Sequence, residues 1–143
     1  MVRKKEIQRA IFQEEKKEGA YYCTYPSFVD YCRLVARAKD RNAFPAMLMF
    51  LTLSQRGKKE HMKPLDLQEQ MKILKTAIGD SLRTGDAYTR YGNRHFILML
   101  VKTEKEYCSS IFQRIEEDYA RKSGRGELWY YADMTQELSE SVF

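Results

Sequence analysis

Arg83 and Asp86, separated only by Thr84 and Gly85, set a guanidinium three residues before a carboxylate. A guanidinium can engage an anion through two parallel N–H bonds, and a nearby carboxylate can accept from N–H donors. The same residues also suit a structural task. Arg83 would then be a cation at the C-terminal end of a helix, Gly85 would make a turn, and Asp86 would open a strand. Further on, His95 follows Arg94, and a lone histidine in such a place is more often a surface group than a catalyst. Cys23, Cys32 and Cys108 form no CxxC pair, and with two histidines they are too few and too scattered for a zinc framework. They read as reduced and mostly buried. There is no Walker loop, no HExxH, no GxSxG and no cysteine beside a plausible base, so no catalytic residue, metal or cofactor is assigned.

The stretch that must position these residues runs from Leu82 to Val101. Asp86 to Tyr91 alternates like a half-exposed strand, Gly92-Asn93 supplies a two-residue turn, and Phe96 to Val101 is an unbroken apolar run. This predicts a β-hairpin with one wet and one buried strand. Ala46 to Leu53 is a second unbroken apolar run, expected to be a strand covered on both faces.

Helices are expected between and before the strands. Pro26 and Ser27 open one that ends at Asn42 and carries Phe28, Tyr31, Cys32, Val35 and Ala38 on one face. Asp66 and Glu69 make a capping-box-like start to another, with Leu67, Met71, Leu74, Ile78 and Leu82 on its apolar stripe. Thr103 and Glu106 repeat that pattern before Tyr107, Ile111, Ile115 and Tyr119, in a helix reaching about Lys122. After the turn at 123–126, Glu127 to Asp133 is an aromatic strand, and the last ten residues read as weakly structured. Residues 1–18 read as a polar connecting helix stopped by Gly19, and 20–25 as a short aromatic strand.

From Ala46 onward the order is therefore β, α, β, β, α, β. The fold class is α/β (α+β), with a ferredoxin-like βαββαβ core, an antiparallel sheet with helices, and additional N-terminal helices. In that topology the first and third strands are central, and these are the two unbroken apolar runs. The second and fourth are then edge strands.

At 143 residues and 43% hydrophobic, the chain can bury one ordinary core. No apolar stretch approaches the roughly 20 residues that span a bilayer, and no signal core follows the basic start. A cytoplasmic location without membrane attachment is expected. The formal charge of +5 sits mainly at Arg3 to Arg9 and Arg56 to Lys63, neither interleaved with aromatics. A solvated basic surface accounts for it, and nucleic-acid binding through this domain is not expected.

The hairpin also resembles that of GGDEF domains, the diguanylate cyclases. Arg83 and Asp86 stand at the RxxD positions, Arg90-Tyr91 precede the signature, and the signature itself reads Gly92-Asn93-Arg94-His95-Phe96. The resemblance implies a nucleotide-cyclase-type core over residues 19–143, with 1–18 as connector. Such cyclases condense two GTP molecules using Mg²⁺ held by acidic residues. The positions matching their first-strand metal motif are Thr52-Leu53-Ser54-Gln55-Arg56-Gly57, and the acidic pair of the signature corresponds to Arg94 and His95. The signature is degenerate: hard oxygen ligands are replaced by a hydroxyl and basic groups, so the expectation is a domain that is not an enzyme.

Similarity is closer to the degenerate GGDEF-like domain at the C-terminus of some bacterial transcriptional activators. It is carried by Gly19 to Cys23, Arg33, Arg37, Leu51-Thr52-Leu53, Ser81 to Asp86 and Arg90-Tyr91. This resemblance implies a regulatory or dimerisation module, with self-association or the upstream domains of a larger regulator as partners. The alternative is a cyclic di-GMP receptor acting through Arg83 and Asp86.

Overall fold

The apolar runs become the two central strands. The structure, a computed structural model, describes residues 3–12, 19–55, 64–123, 128–130 and 136–137. Its elements are α1 (Lys4–Phe12), β1 (Tyr21–Tyr22), α2 (Tyr25–Asn42), β2 (Ala46–Gln55), α3 (Pro64–Ser81), β3 (Ala87–Tyr91), β4 (His95–Val101), α4 (Cys108–Ser123), β5 (Leu128–Tyr130) and β6 (Gln136–Glu137). The sheet order is β1-β3-β4-β2-β5, and β6 also pairs with β2. Central β2 and β4 are antiparallel from Ala46 opposite Val101 to Thr52 opposite His95. This is the expected split βαβ arrangement, because a helix crossover separates β2 from β3 and another separates β4 from β5.

Strand periodicity divides the core. Met47, Met49, Leu51 and Leu53 of β2 and Phe96, Leu98 and Leu100 of β4 point to one face, where they meet Met71, Leu74 and Ile78 of α3 and Ile115 and Tyr119 of α4. Ile97 and Met99 of β4 point to the other face, where Phe28 and Val35 of α2 meet them. Leu48 and Phe50 of β2 share that second face but are only half-buried, so β2 is not fully covered on both sides.

Several local expectations are corrected. The second core strand is half wet, with Arg90 and Tyr91 exposed, but its exposure does not alternate: Ala87, Tyr88 and Thr89 are buried, and Tyr21–Tyr22 adds a parallel strand outside Ala87 and Tyr88, so that end is not an edge. The hairpin turn takes three residues, 92–94, because Tyr91 pairs with His95 and Gly92 has φ 76°. α2 begins at Tyr25, with Thr24 as its cap accepting from the Ser27 amide, and Pro26 lies in its first turn. α3 begins at Pro64. The Thr103/Glu106 box does not form; a 3₁₀ turn at Lys105–Tyr107 leads into α4, with no side-chain cap, and Tyr107 is exposed. Within the final ten residues, Gln136–Glu137 pair with β2. Tyr21 and Tyr22 are exposed, although strand aromatics usually pack inward. The expected helix over 13–18, the basic loop at 56–63 and the end of the last aromatic strand at 131–133 lie outside the described residues.

α1 buries none of its residues, and Ile7, Ile11 and Phe12 are exposed. Among the described residues, no helix is long and apolar enough to cross a membrane.

α2 ends at Ala43, whose φ of 54° is left-handed and whose amide donates to the Lys39 carbonyl at 2.7 Å. A β-carbon is disfavoured there. Ala43→Gly is expected to stabilise the protein by about 0.5 kcal/mol, since the relief of left-handed strain exceeds glycine's extra unfolded-state entropy. A urea midpoint that stays the same or falls would contradict this account.

Candidate functional site

The residues singled out by sequence fall at opposite ends of the β3–β4 hairpin. At its tip, antiparallel pairing brings the signature against the C-terminal end of β2. The Leu53 amide donates to the Arg94 carbonyl at 2.8 Å, and Thr52 Oγ1 lies 2.9 Å from His95 Nδ1 in a hydrogen bond. Arg94 Nη1 reaches the Leu53 carbonyl at 3.5 Å. Arg90 closes the turn from within, donating from Nε to the Gly92 carbonyl at 3.0 Å and from Nη2 to that of Asn93 at 3.3 Å. Asn93 is exposed, whereas Phe96 points inward and is buried.

The fold therefore gathers Thr52, Arg94 and His95 at one end of the central strand pair. Mg²⁺ prefers carboxylate and water oxygens in octahedral array. A hydroxyl already bonded to an imidazole, beside a guanidinium, does not fit that donor chemistry. Among the described residues, no group of three or more His, Cys, Asp or Glu could hold a metal ion.

The hairpin base has a different character. Asp86 is 3% exposed. Its Oδ1 accepts from the Val101 amide at 3.0 Å, and its Oδ2 accepts from the Arg83 amide at 3.1 Å and from Arg83 Nε at 3.5 Å. Arg83 Nη2 donates onward to the Val101 carbonyl and to Thr103 Oγ1, the latter at 2.7 Å. The backbone of Asp86 also accepts from the Tyr21 amide, and the Tyr31 hydroxyl donates to the Gly85 carbonyl. Arg83 and Asp86 are thus brought together as a latch joining the end of α3, the start of β3, the end of β4 and β1. Burial pushes the Tyr31 phenol above its ordinary pKa, and the Asp86 carboxylate adds to the effect, so it stays a donor.

Sequence reasoning missed three participants in this latch. Tyr31 and Thr103 were read as a helix-face residue and a cap, and Val101 enters through its backbone, which no side-chain pattern reveals. The cation at the end of α3 is Arg114, reaching across from α4 to the Ser81 carbonyl at 3.1 Å, rather than Arg83. α3 and α4 are further joined by Lys122, which pairs with Asp80 at 2.6 Å and with Asp118.

The cysteines are all free; Cys23 and Cys108 are buried and Cys32 is half-buried. Burial, reinforced by Cys23 nearby, pushes the Cys32 thiol up to about 12. A thiol held protonated at neutral pH is a poor nucleophile.

Two solved structures share this fold. A DGC protein from Thermotoga maritima superposes with a TM-score of 0.62 at 14% identity, over 82% of this chain and 79% of that one. The fold is similar to that of diguanylate cyclases. The diguanylate cyclase SiaD from Pseudomonas aeruginosa, in complex with its activator SiaC, superposes with a TM-score of 0.59 at 14% identity, over 81% of this chain and 47% of SiaD. No protein-family model and no curated protein matches the sequence. The diguanylate-cyclase-like fold places the β3–β4 hairpin beside the end of the first core strand, which is how Thr52 and His95 come to touch.

Proposed function

We propose that this chain is a catalytically inactive GGDEF-like regulatory and interaction domain of a bacterial signalling or transcriptional regulator. It pairs with itself or with other parts of a larger regulator. The observation that carries this reading is the meeting of Thr52, Arg94 and His95 where the resemblance calls for metal carboxylates. Without those carboxylates, the site lacks the electrostatic stabilisation that phosphoryl chemistry requires. That a cyclase of this fold is seen with a protein activator supports the interaction role.

Purified protein with GTP and either Mg²⁺ or Mn²⁺ is expected to form no cyclic dinucleotide above a blank without protein. Any product above the blank overturns the assignment. Light scattering addresses partner choice: a monomer at high concentration counts against self-pairing and leaves the larger regulator as partner.

A cyclic di-GMP receptor acting through Arg83 and Asp86 is the second reading. It is favoured by the Arg83 side chain being 58% exposed. The buried and fully engaged Asp86 carboxylate argues against it.

A further inference from the structure

The two faces of the sheet are covered unequally. α3 and α4 pack on one, whereas among the described elements only α2 crosses the other, anchored by Phe28 and Val35. Beside these anchors, α2 presents the short side chains of Cys32 and Ala36 toward β2. Cys32 and Ala36, one helical turn apart, line a cavity of 310 Å³ together with Phe28, Leu48, Phe50 and Ile97. Leu48 and Phe50, which line the same space, are half-buried.

Arg33 is the one charged residue among those lining the cavity. Its guanidinium is bound to Asp30 at 3.3 Å, but both side chains are about three-quarters exposed, at 73% and 75%. Such an exposed pair contributes little and exchanges readily for another anion.

We infer that this cavity binds a small amphipathic carboxylate, with its apolar body between α2 and the central strands and its anionic head on Arg33. The walls come from a helix and the sheet beneath it, so the space is a cleft suited to a slim body, and its volume lies at the lower end for small-molecule sites. A dry cavity of about 150 Å³ takes benzene, so this one has room for an apolar body of about ten carbon atoms. The proposal does not depend on the loss of cyclase chemistry, because none of these residues belongs to the hairpin tip.

The test is calorimetric titration of decanoate into the full chain below its micelle-forming concentration. Decan-1-ol serves as the probe without charge and butyrate as the probe without length. Decanoate is expected to bind. Decan-1-ol, and decanoate with Arg33→Gln, are expected to bind about tenfold more weakly, the worth of one charge-assisted hydrogen bond. Ala36→Phe fills the cleft and is expected to abolish binding while keeping the wild-type circular dichroism spectrum.

A second measurement needs no variant: decanoate is expected to raise the urea midpoint of the wild type and butyrate to leave it unchanged. Absence of decanoate heat together with an unmoved midpoint overturns the proposal, as does undiminished binding by Ala36→Phe. A wild-type dimer that Ala36→Phe dissociates in light scattering also overturns it, by making the cleft an interface between copies.

Discussion

Asp86→Ala is expected to lower folding stability by about 3 kcal/mol, measured as a shift in the urea midpoint. The carboxylate accepts from two backbone amides and a guanidinium nitrogen at a site that is 3% exposed. Deleting it leaves the Arg83 and Val101 amides, both partly buried, without their partner, and each such orphaned donor costs about 1–3 kcal/mol, less where water can reach it. Asp86→Asn keeps one carbonyl acceptor and should recover roughly half of the loss. Arg83→Ala should be milder, about 1 kcal/mol, because the Arg83 side chain is largely exposed and the Thr103 hydroxyl keeps its bond to the Val101 carbonyl at 3.2 Å.

These variants separate the two readings of the RxxD pair. A structural latch predicts lowered stability and no heat when cyclic di-GMP is titrated into the wild type. A receptor site predicts binding that disappears in Arg83→Ala, with the fold intact. An Asp86→Ala protein as stable as the wild type would remove the latch account.

Phe96→Ala is expected to cost about 3–5 kcal/mol, the usual range for an aromatic deleted from a core. The ring is 1% exposed, stands opposite Leu51 of β2 and lies 6.4 Å from the Tyr88 ring centroid. Its neighbour His95 is exposed and makes one hydrogen bond, to Thr52, so His95→Ala should cost no more than about 1 kcal/mol. The contrast matters for function. Of positions 94, 95 and 96, the one that matches what the resemblance to GGDEF domains implies, Phe96, packs the core, and the two that depart from it, Arg94 and His95, are those whose side chains hydrogen-bond to β2 at the tip. Equal costs for the two variants, by chemical denaturation, would break that distinction.

The βαββαβ order and the identity of the central strands were legible in the sequence. Both signals are local: an unbroken apolar run marks a strand buried in a sheet, and a 3.6-residue stripe marks a helix with one covered face. Met71, Leu74 and Ile78 on α3, and Ile115 and Tyr119 on α4, are buried where that stripe put them. The absence of carboxylates at Thr52, Arg94 and His95 was legible too, since residue identity needs no coordinates.

What only the tertiary structure decided is where backbone groups meet side chains from distant elements. Asp86 reads equally well as a ligand acceptor or a strand opener until β4 brings the Val101 amide within 3.0 Å of it. Thr103 follows the pattern of a helix cap, yet its hydroxyl accepts from Arg83 because the end of β4 lies beside the end of α3. The short aromatic strand expected over 20–25 is present as β1, but its partner was not legible: the Tyr21 and Cys23 amides find the Asp86 and Tyr88 carbonyls, which covers the start of a strand expected at the edge. The cleft under α2 is likewise a difference in reach between Cys32 or Ala36 and the strand they face, which one helix's sequence cannot express. Sequence fixes the periodicity of each element and the chemistry each residue can offer. Packing, by deciding which polar groups are buried together and must satisfy one another, determines which of those chemistries is used.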